Sequence, residues 1–342
     1  VCMPAYNAQK VISRSIDSIL RQTFQNFTFV ITDDCSSDDT VDTILGFNDP
    51  RILLYQNAEN LGAASTRNNM MRFCIEQGYK YMAVMDADDY AYPRRLEKQI
   101  DILERDQTIA VCGSSMKIER NNSIWRGPIS PAEIKAECVF GNPIPTSTAT
   151  IRLRIMDLYN LEWDTNYVPC ADYHLWYVMF FEKKLRARCT GDVDMIYTYS
   201  PEGISRGSGI TRQEEKDSQV KQVLLKHFGI SATESEAYHF MRVALSRSTS
   251  AADAQGFFKL ASALKKNNND TVVDQTELER HLSIRVKNYL DKVTNLDDRL
   301  KDQLIQNLTT DSRYNRAEAI LRRVKEQFLD TYFPSLSYRL LC

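Results

Sequence analysis

The sequence predicts an α/β fold over residues 1–209, a mostly parallel sheet with helices on its faces, followed by an all-helical region over 210–342. Three observations carry this. Over the first ~110 residues, short apolar runs alternate with helically spaced apolar residues, the pattern of strand–helix–strand units. Several of those runs end in acids or small polar residues, where open α/β sheets bind ligands. Beyond residue 210, helix-capping signals and 3/4 spacing replace the strand pattern.

Val1–Met3 reads as the end of a strand, and Val11, Ile12, Ile16, Ile19 and Leu20 have helical spacing. Phe27–Ile31 is a strand running into Thr32-Asp33-Asp34, and Ile52–Tyr55 is another. Ala63–Gln77 reads as a helix with Gly78 as its stop. Tyr81–Met85 is a buried strand ending abruptly in Asp86-Ala87-Asp88-Asp89. Pro93 suits the first turn of a helix over Arg94–Arg105, and Ile109–Gly113 is a fifth strand. Thr146–Ile151 alternates weakly as a strand, Asp172–Phe181 has helical spacing, and Cys189–Tyr199 reads as a hairpin. In the second half, Thr211-x-x-Glu214, Ser231-x-x-Glu234 and the weaker Ser250-x-x-Asp253 open helices, and Asn267–Asp270 is a turn. Leu278, Leu282, Val286, Tyr289 and Val293 form a stripe continued by Leu296, Leu300 and Leu304 and broken near Asn295. That stripe reads as core in a region of five or six helices, which also offers a surface for forming oligomers.

Of 342 residues, 43% are hydrophobic and 26% charged, values of a globular chain with a sizeable core. The formal net charge of −2 argues against nucleic acid as a partner. Eight cysteines lie scattered without a CxxC pair, the pattern of reduced thiols in a cytoplasmic protein. No apolar run has the length of a membrane span and no signal segment is present. The chain opens at Val1 inside a strand, so a few upstream residues are expected.

The chemistry concentrates at the ends of the predicted strands. Asp86 and Asp88 flank Ala87 and point the same way along an extended segment. Two such carboxylates repel unless a cation or a polyhydroxylated ligand holds them, and hard oxygen donors suit Mg²⁺ or Mn²⁺. The bland alternative is a solvated acidic turn. Pro4-Ala5-Tyr6-Asn7 follows the first strand and Asp33-Asp34 the second, while Asn60–Asn68 opens a helix carrying Arg67. An aromatic ring, a carboxylate acceptor, an Arg and an acid pair suit a nucleoside diphosphate bound through a divalent cation. Tyr6 would stack on the base and Asp33 accept from a ring N–H.

In this order the residues resemble the family 2 glycosyltransferases, nucleotide-sugar-dependent enzymes of the GT-A fold. The matching elements are Pro4-Ala5-Tyr6-Asn7, Asp33-Asp34-x-Ser36-x-Asp38-x-Thr40, Asn60-x-Gly62 with Arg67-Asn68, and Asp86-Ala87-Asp88-Asp89-x-x-x-Pro93. Further on come Asn142-Pro143-Ile144, Ser147-Thr148, Arg152 and Ala171-Asp172-Tyr173-x-Leu175-Trp176, so the resemblance covers roughly residues 1–206. It implies a GT-A-like mixed sheet flanked by helices, with an inverting transferase as the activity. It assigns Pro4, Tyr6, Asp33 and Asp34 to nucleotide binding, with Arg67 near the base or the diphosphate. Asp86 would hold the ribose or share the metal, Asp88 would be the main ligand of Mn²⁺ or Mg²⁺, and Asp172 would be the general base. The implied donor is a nucleotide sugar, UDP-linked by preference. The acceptor is a glycan, lipid-linked saccharide or protein hydroxyl, with peripheral docking on a membrane-bound assembly.

Two departures stand out. Ala171 replaces the Glu that commonly precedes the base, and Ser200 and Glu202 occupy positions where the family often has Arg and His, with Arg206 the nearest basic substitute. His174 reads as a hydrogen-bonded bystander, and Trp163 and Trp176 as core. The competing readings are a non-catalytic sugar- or partner-binding module on a degenerate transferase fold, and a nucleotidyltransferase. The latter usually has a Gly-rich loop after its first strand, which Pro4–Asn7 is not.

Overall fold

The computed structural model describes residues 1–198, 208–247, 250–268 and 270–292. Arg206, Ser200, Glu202, Val293, Leu296, Leu300 and Leu304, together with the break near Asn295, lie outside them. The first half runs β1 (Cys2–Ala5), α1 (Ile12–Leu20), β2 (Phe29–Asp33), α2 (Thr40–Leu45), β3 (Ile52–Gln56), α3 (Gly62–Glu76) and β4 (Tyr81–Ala83). It continues through β5 (Tyr90–Ala91), α4 (Arg95–Arg105), β6 (Ile109–Ile118), β7 (Ser123–Trp125), α5 (Pro131–Phe140), β8 (Thr150–Arg152), α6 (Leu153–Leu158), α7 (Ala171–Tyr177) and β9 (Arg186–Tyr197). Four helices follow: α8 (Ser208–Leu225), α9 (Glu234–Ala244), α10 (Ala251–Asn267) and α11 (Gln275–Lys292).

The strands form a parallel sheet β1-β2-β3 and a mixed sheet β4-β8-β6-β9-β5, with a parallel bridge from Cys2 to Val84 linking them. The parallel expectation therefore holds for the first three strands, while β4 pairs antiparallel with β8. Up to residue 198, where the described segment ends, the predicted hairpin at 189–199 is instead one strand, β9, running parallel to β6 with register shifts around Ser115 and Gly191 at φ +81°. A bulge there absorbs residues that pattern reading took for a turn.

The apolar faces of α1 and of β1 and β2 close over Ile12, Ile16, Ile19, Phe29 and Ile31. A larger core runs from Cys2 and Val30 through Trp163 and Trp176 to Phe240, Phe257 and Leu282, so α8–α11 pack on α5 and α7 without a break. Leu278, Leu282, Val286 and Tyr289 are buried, as the stripe predicts. The capping boxes are shifted. α8 begins at Ser208, upstream of Thr211, and the box that opens α9 is Thr233 with Glu236 rather than Ser231 with Glu234. The Ser250 cap is present, accepting from the Asp253 N–H. All seven described cysteines are free, six of them buried. Among the described residues no helix is long and apolar enough to cross a membrane.

Trp176 fills the centre of the larger core and donates its indole N–H to the Ile144 carbonyl at 2.8 Å. Trp176→Ala should cost about 3–5 kcal/mol of stability, through the cavity and the orphaned carbonyl. Urea unfolding followed by tryptophan fluorescence and circular dichroism checks this; a loss below about 1 kcal/mol contradicts the packing described.

Candidate active site

Three strand ends share one edge. Ala5 and Asp33 are partners across β1 and β2, and the Asp34 N–H donates to the Ala5 carbonyl at 2.7 Å. The Met85 N–H donates to the Cys2 carbonyl at 2.9 Å, bringing the acidic turn alongside β1. Pro4 stays within β1, whereas Tyr6 leaves the strand and is 52% exposed. Asn7, at φ 47°, turns the chain and its amide oxygen accepts from the Ser37 N–H at 2.8 Å, tying the Tyr6 loop to the Asp33 loop. Asp33 is buried. Its Oδ2 accepts from the Ser36 N–H at 3.0 Å and its Oδ1 has no partner among the described residues.

Asp34 does different work. Its carboxylate accepts from the Leu61 and Gly62 N–H groups at 2.9 and 2.8 Å and from Asn57 Nδ2 at 2.7 Å. These N–H groups open α3, so Asp34 satisfies donors the helix start would leave bare. One turn on, Arg67 pairs through Nη2 with Asp86 Oδ1, and its buried Nε has no partner among the described residues. Asp34→Ala should destabilise the protein by about 1–2 kcal/mol and loosen Arg67, read as a lower melting temperature together with weaker nucleotide binding. Unchanged stability would contradict the capping role.

In the acidic turn the three carboxylates separate by environment. No side-chain hydrogen bond reaches Asp88 from the described residues, and burial together with the neighbouring Asp86 charge pushes it up to about 6. Asp89 is buried, accepts from the Thr198 N–H at 3.0 Å and is raised well above the usual carboxylate range, by burial first and then by Asp86 and Asp88. It locks the end of β9 to the turn. Behind the turn lies Arg95, which sequence reading missed. Fully buried, it donates to the Val84 carbonyl at 2.7 Å and approaches the Met85 sulfur at 3.5 Å; burial lowers it to about 10. Asp86 and Asp88 thus offer hard oxygens that repel each other and lack enough internal donors, a set that suits a divalent cation. Among the described residues no three His, Cys, Asp or Glu side chains are placed to hold a metal together, so water and a diphosphate would complete such a coordination shell.

Asp172 opens α7. Its Oδ2 accepts from Asn142 Nδ2 at 2.6 Å and from the Thr146 hydroxyl at 2.9 Å, while Oδ1 accepts from the Tyr173 N–H at 2.8 Å. One lone pair on Oδ1 remains available. Burial raises its pKa, partly opposed by these hydrogen bonds and by the Arg67 charge. His174 stacks on Tyr167 at 3.8 Å between ring centres, and its buried Nδ1 has no partner among the described residues. Trp163 and Trp176 are core.

Residues 1–171, half of the 342-residue chain, match the model of Glycosyl transferase family 2. This chain belongs to glycosyltransferase family 2. Among the relatives of this transferase is the Escherichia coli UDP-Glc:alpha-D-GlcNAc-diphosphoundecaprenol beta-1,3-glucosyltransferase WfaP, 30% identical over 232 residues, 68% of this chain and 87% of that protein. The E. coli enzyme WfgD, with the same described activity, is 30% identical over 206 residues, 60% of this chain and 78% of its own length. The S. aureus TarS 1-349 structure in complex with UDP-GlcNAc superposes with a TM-score of 0.55 at 14% identity, covering 85% of this chain and 87% of that one. The family 2 transferase therefore has the GT-A-like fold its sequence suggested, a mixed sheet flanked by helices with further helices after it.

Proposed function

We propose that this glycosyltransferase inverts the anomeric centre as it moves a sugar from a UDP-linked donor to a hydroxyl of a lipid-linked saccharide, with Asp172 as general base. The observation that carries the reading is the Asp172 carboxylate, fixed by Asn142 and Thr146, raised by burial and close enough to Arg67 to feel its charge.

Tyr6 offers an exposed ring for stacking on the base. Asp33 Oδ1, buried and unpartnered, accepts from the base N–H. Pro4 and Asp34 position these groups, Pro4 at the strand end and Asp34 by holding the start of α3. Arg67 donates to the base or the diphosphate, steered by Asp86, which also holds the ribose or shares the metal. Asp88, with Asp86, would hold Mn²⁺ or Mg²⁺. When bound, that ion neutralises charge on the departing diphosphate.

In the transfer, the acceptor oxygen forms a bond to the anomeric carbon as the carbon–oxygen bond to the diphosphate breaks, and the leaving oxygen takes the bonding pair. The acceptor's proton passes to Asp172. A single displacement of this kind inverts configuration and needs no covalent intermediate. The lipid-linked acceptor rests on the names of the E. coli relatives, and it is the reason we place the enzyme at the cytoplasmic face of a membrane, docked peripherally. A nucleotide-sugar panel tests the proposal, with Mn²⁺-dependent hydrolysis and thermal stabilisation as readouts. Failure of every nucleotide to bind with Mn²⁺ present would overturn it.

A further inference from the structure

The helical half meets the catalytic helix around a pocket of about 150 Å³. Asn142 and Asp172 line one wall, and Gln213, Asp217, Lys221 and Arg247 line the other. Gln213, Asp217 and Lys221 stand at i, i+4 and i+8 on α8, so they share one face of that helix. These three and Arg247 lie beyond the span matched by the family, which ends at residue 171.

The pocket is built for a polar ligand. Asp217 is 6% exposed, and the Cys170 thiol, a weak donor, is the group among the described residues that hydrogen-bonds to its carboxylate. Its ion-pair partner Arg247 stands off at 3.7 Å, the same distance at which Arg247 meets Glu214, too far for either contact to be a hydrogen bond. The Gln213 amide likewise makes no hydrogen bond with the described residues. Gln213 is half-buried and, among the described residues, the Asp217 carboxylate is held only by a thiol and a distant guanidinium, so both keep hydrogen-bonding capacity that a polar ligand in the pocket can use. Lys221 is fully buried and donates from its ammonium to the Tyr173 hydroxyl, which in turn donates to the Cys138 carbonyl at 2.7 Å.

The balance of charge excludes a strongly ionic ligand, because two carboxylates face a lysine and an arginine. Burial mutes the inner pair further, raising Asp217 to about 6 and lowering Lys221 to about 7. The volume is below the ~300 Å³ of the smallest drug-sized sites, so it takes one ring and not an oligosaccharide. A neutral ring bearing hydroxyls that both donate and accept matches acids alternating with an amide and a guanidinium.

We infer that this pocket is the acceptor subsite, taking a single neutral sugar ring with its attacking hydroxyl toward Asp172, and that Gln213, Asp217 and Arg247 determine which sugar is accepted. The inference rests on Asp172 being the base. It gives the helical half a function, that of reading the acceptor, while the α/β half reads the donor.

The test is saturation-transfer NMR on the full chain with UDP and Mn²⁺. The probes are the methyl glycosides of glucose, galactose, mannose and N-acetylglucosamine, and methyl glucuronide as the anionic arm. At least one neutral glycoside should bind. Asp217→Asn, and separately the double variant Gln213→Ala with Arg247→Ala, should weaken that glycoside about tenfold or more, a loss of about 1.4 kcal/mol, with UDP affinity unchanged. Unchanged UDP affinity also shows that the variants fold. Binding of methyl glucuronide alone, binding of no glycoside, or equal binding by the wild type and both variants overturns the assignment. Failure of UDP to bind the wild type would instead sink the proposed function, whatever the glycosides do.

Discussion

Asp172→Asn should lower sugar transfer by about 10²–10⁴-fold, the contribution of a positioned general base. Asn keeps the volume and can still accept the Tyr173 N–H, so UDP and Mn²⁺ affinities should stay within about twofold. The pH profile gives a second readout. Burial holds the Asp172 carboxyl above the usual carboxylate range, and only its ionised form takes a proton. Transfer by the wild type should therefore fall as pH drops through that raised value, at a higher pH than an ordinary aspartate would give, and the variant should lose this limb. A variant with wild-type transfer rates would remove Asp172 from the role. Asn142→Ala and Thr146→Val should move the limb without abolishing it, since each removes a donor that stabilises the ionised form.

Asp88→Ala should be comparably severe, with transfer down by roughly 10²–10³-fold, the scale seen when one electrostatic stabiliser of a departing charge is lost. Its signature differs from that of Asp172. The metal dependence itself should change, with saturating Mn²⁺ no longer stimulating donor hydrolysis and isothermal titration showing weakened Mn²⁺ binding in the presence of UDP. An Asp88→Ala enzyme with an unaltered Mn²⁺ response would assign the metal elsewhere. Removing the ion from the wild type with a chelator should reproduce the Asp88→Ala phenotype and leave that variant little further affected.

Much of this site is legible in the sequence, because its pieces are local. A strand ending in acids announces itself over nine residues, and parallel strands necessarily bring such ends to one edge, so Tyr6, Asp33, Arg67 and Asp86 could be placed together. What escaped the sequence is whatever depends on long-range partners. Asn142 and Thr146 stand 30 and 26 residues from the Asp172 they orient. Arg95 looks like any helical arginine until its guanidinium is seen buried against the Val84 carbonyl. The division of labour between Asp33, with a free oxygen, and Asp34, consumed as a helix cap, cannot be read from adjacent identical letters. The hairpin expected at 189–199 failed because Gly191 marks a bulge as readily as a turn. The pocket face of α8 did leave a sign, polar residues at 213, 217 and 221 on one helical face, but solvated faces carry the same spacing.

The unbroken core between α5, α7 and the four C-terminal helices bears on how such enzymes can be recombined. Phe140 stacks on Phe240 with ring centres 6.0 Å apart, Phe181 leans on Phe228, and Glu137 on α5 pairs with Arg285 and His281 on α11. A chimera that grafted another relative's helices onto this catalytic half would inherit a mismatched seam beneath the helix that presents Asp172. Exchange of acceptor preference by domain shuffling should therefore require the outward faces of α5 and α7 to travel with the transplanted helices, moving the crossover point upstream to about residue 130.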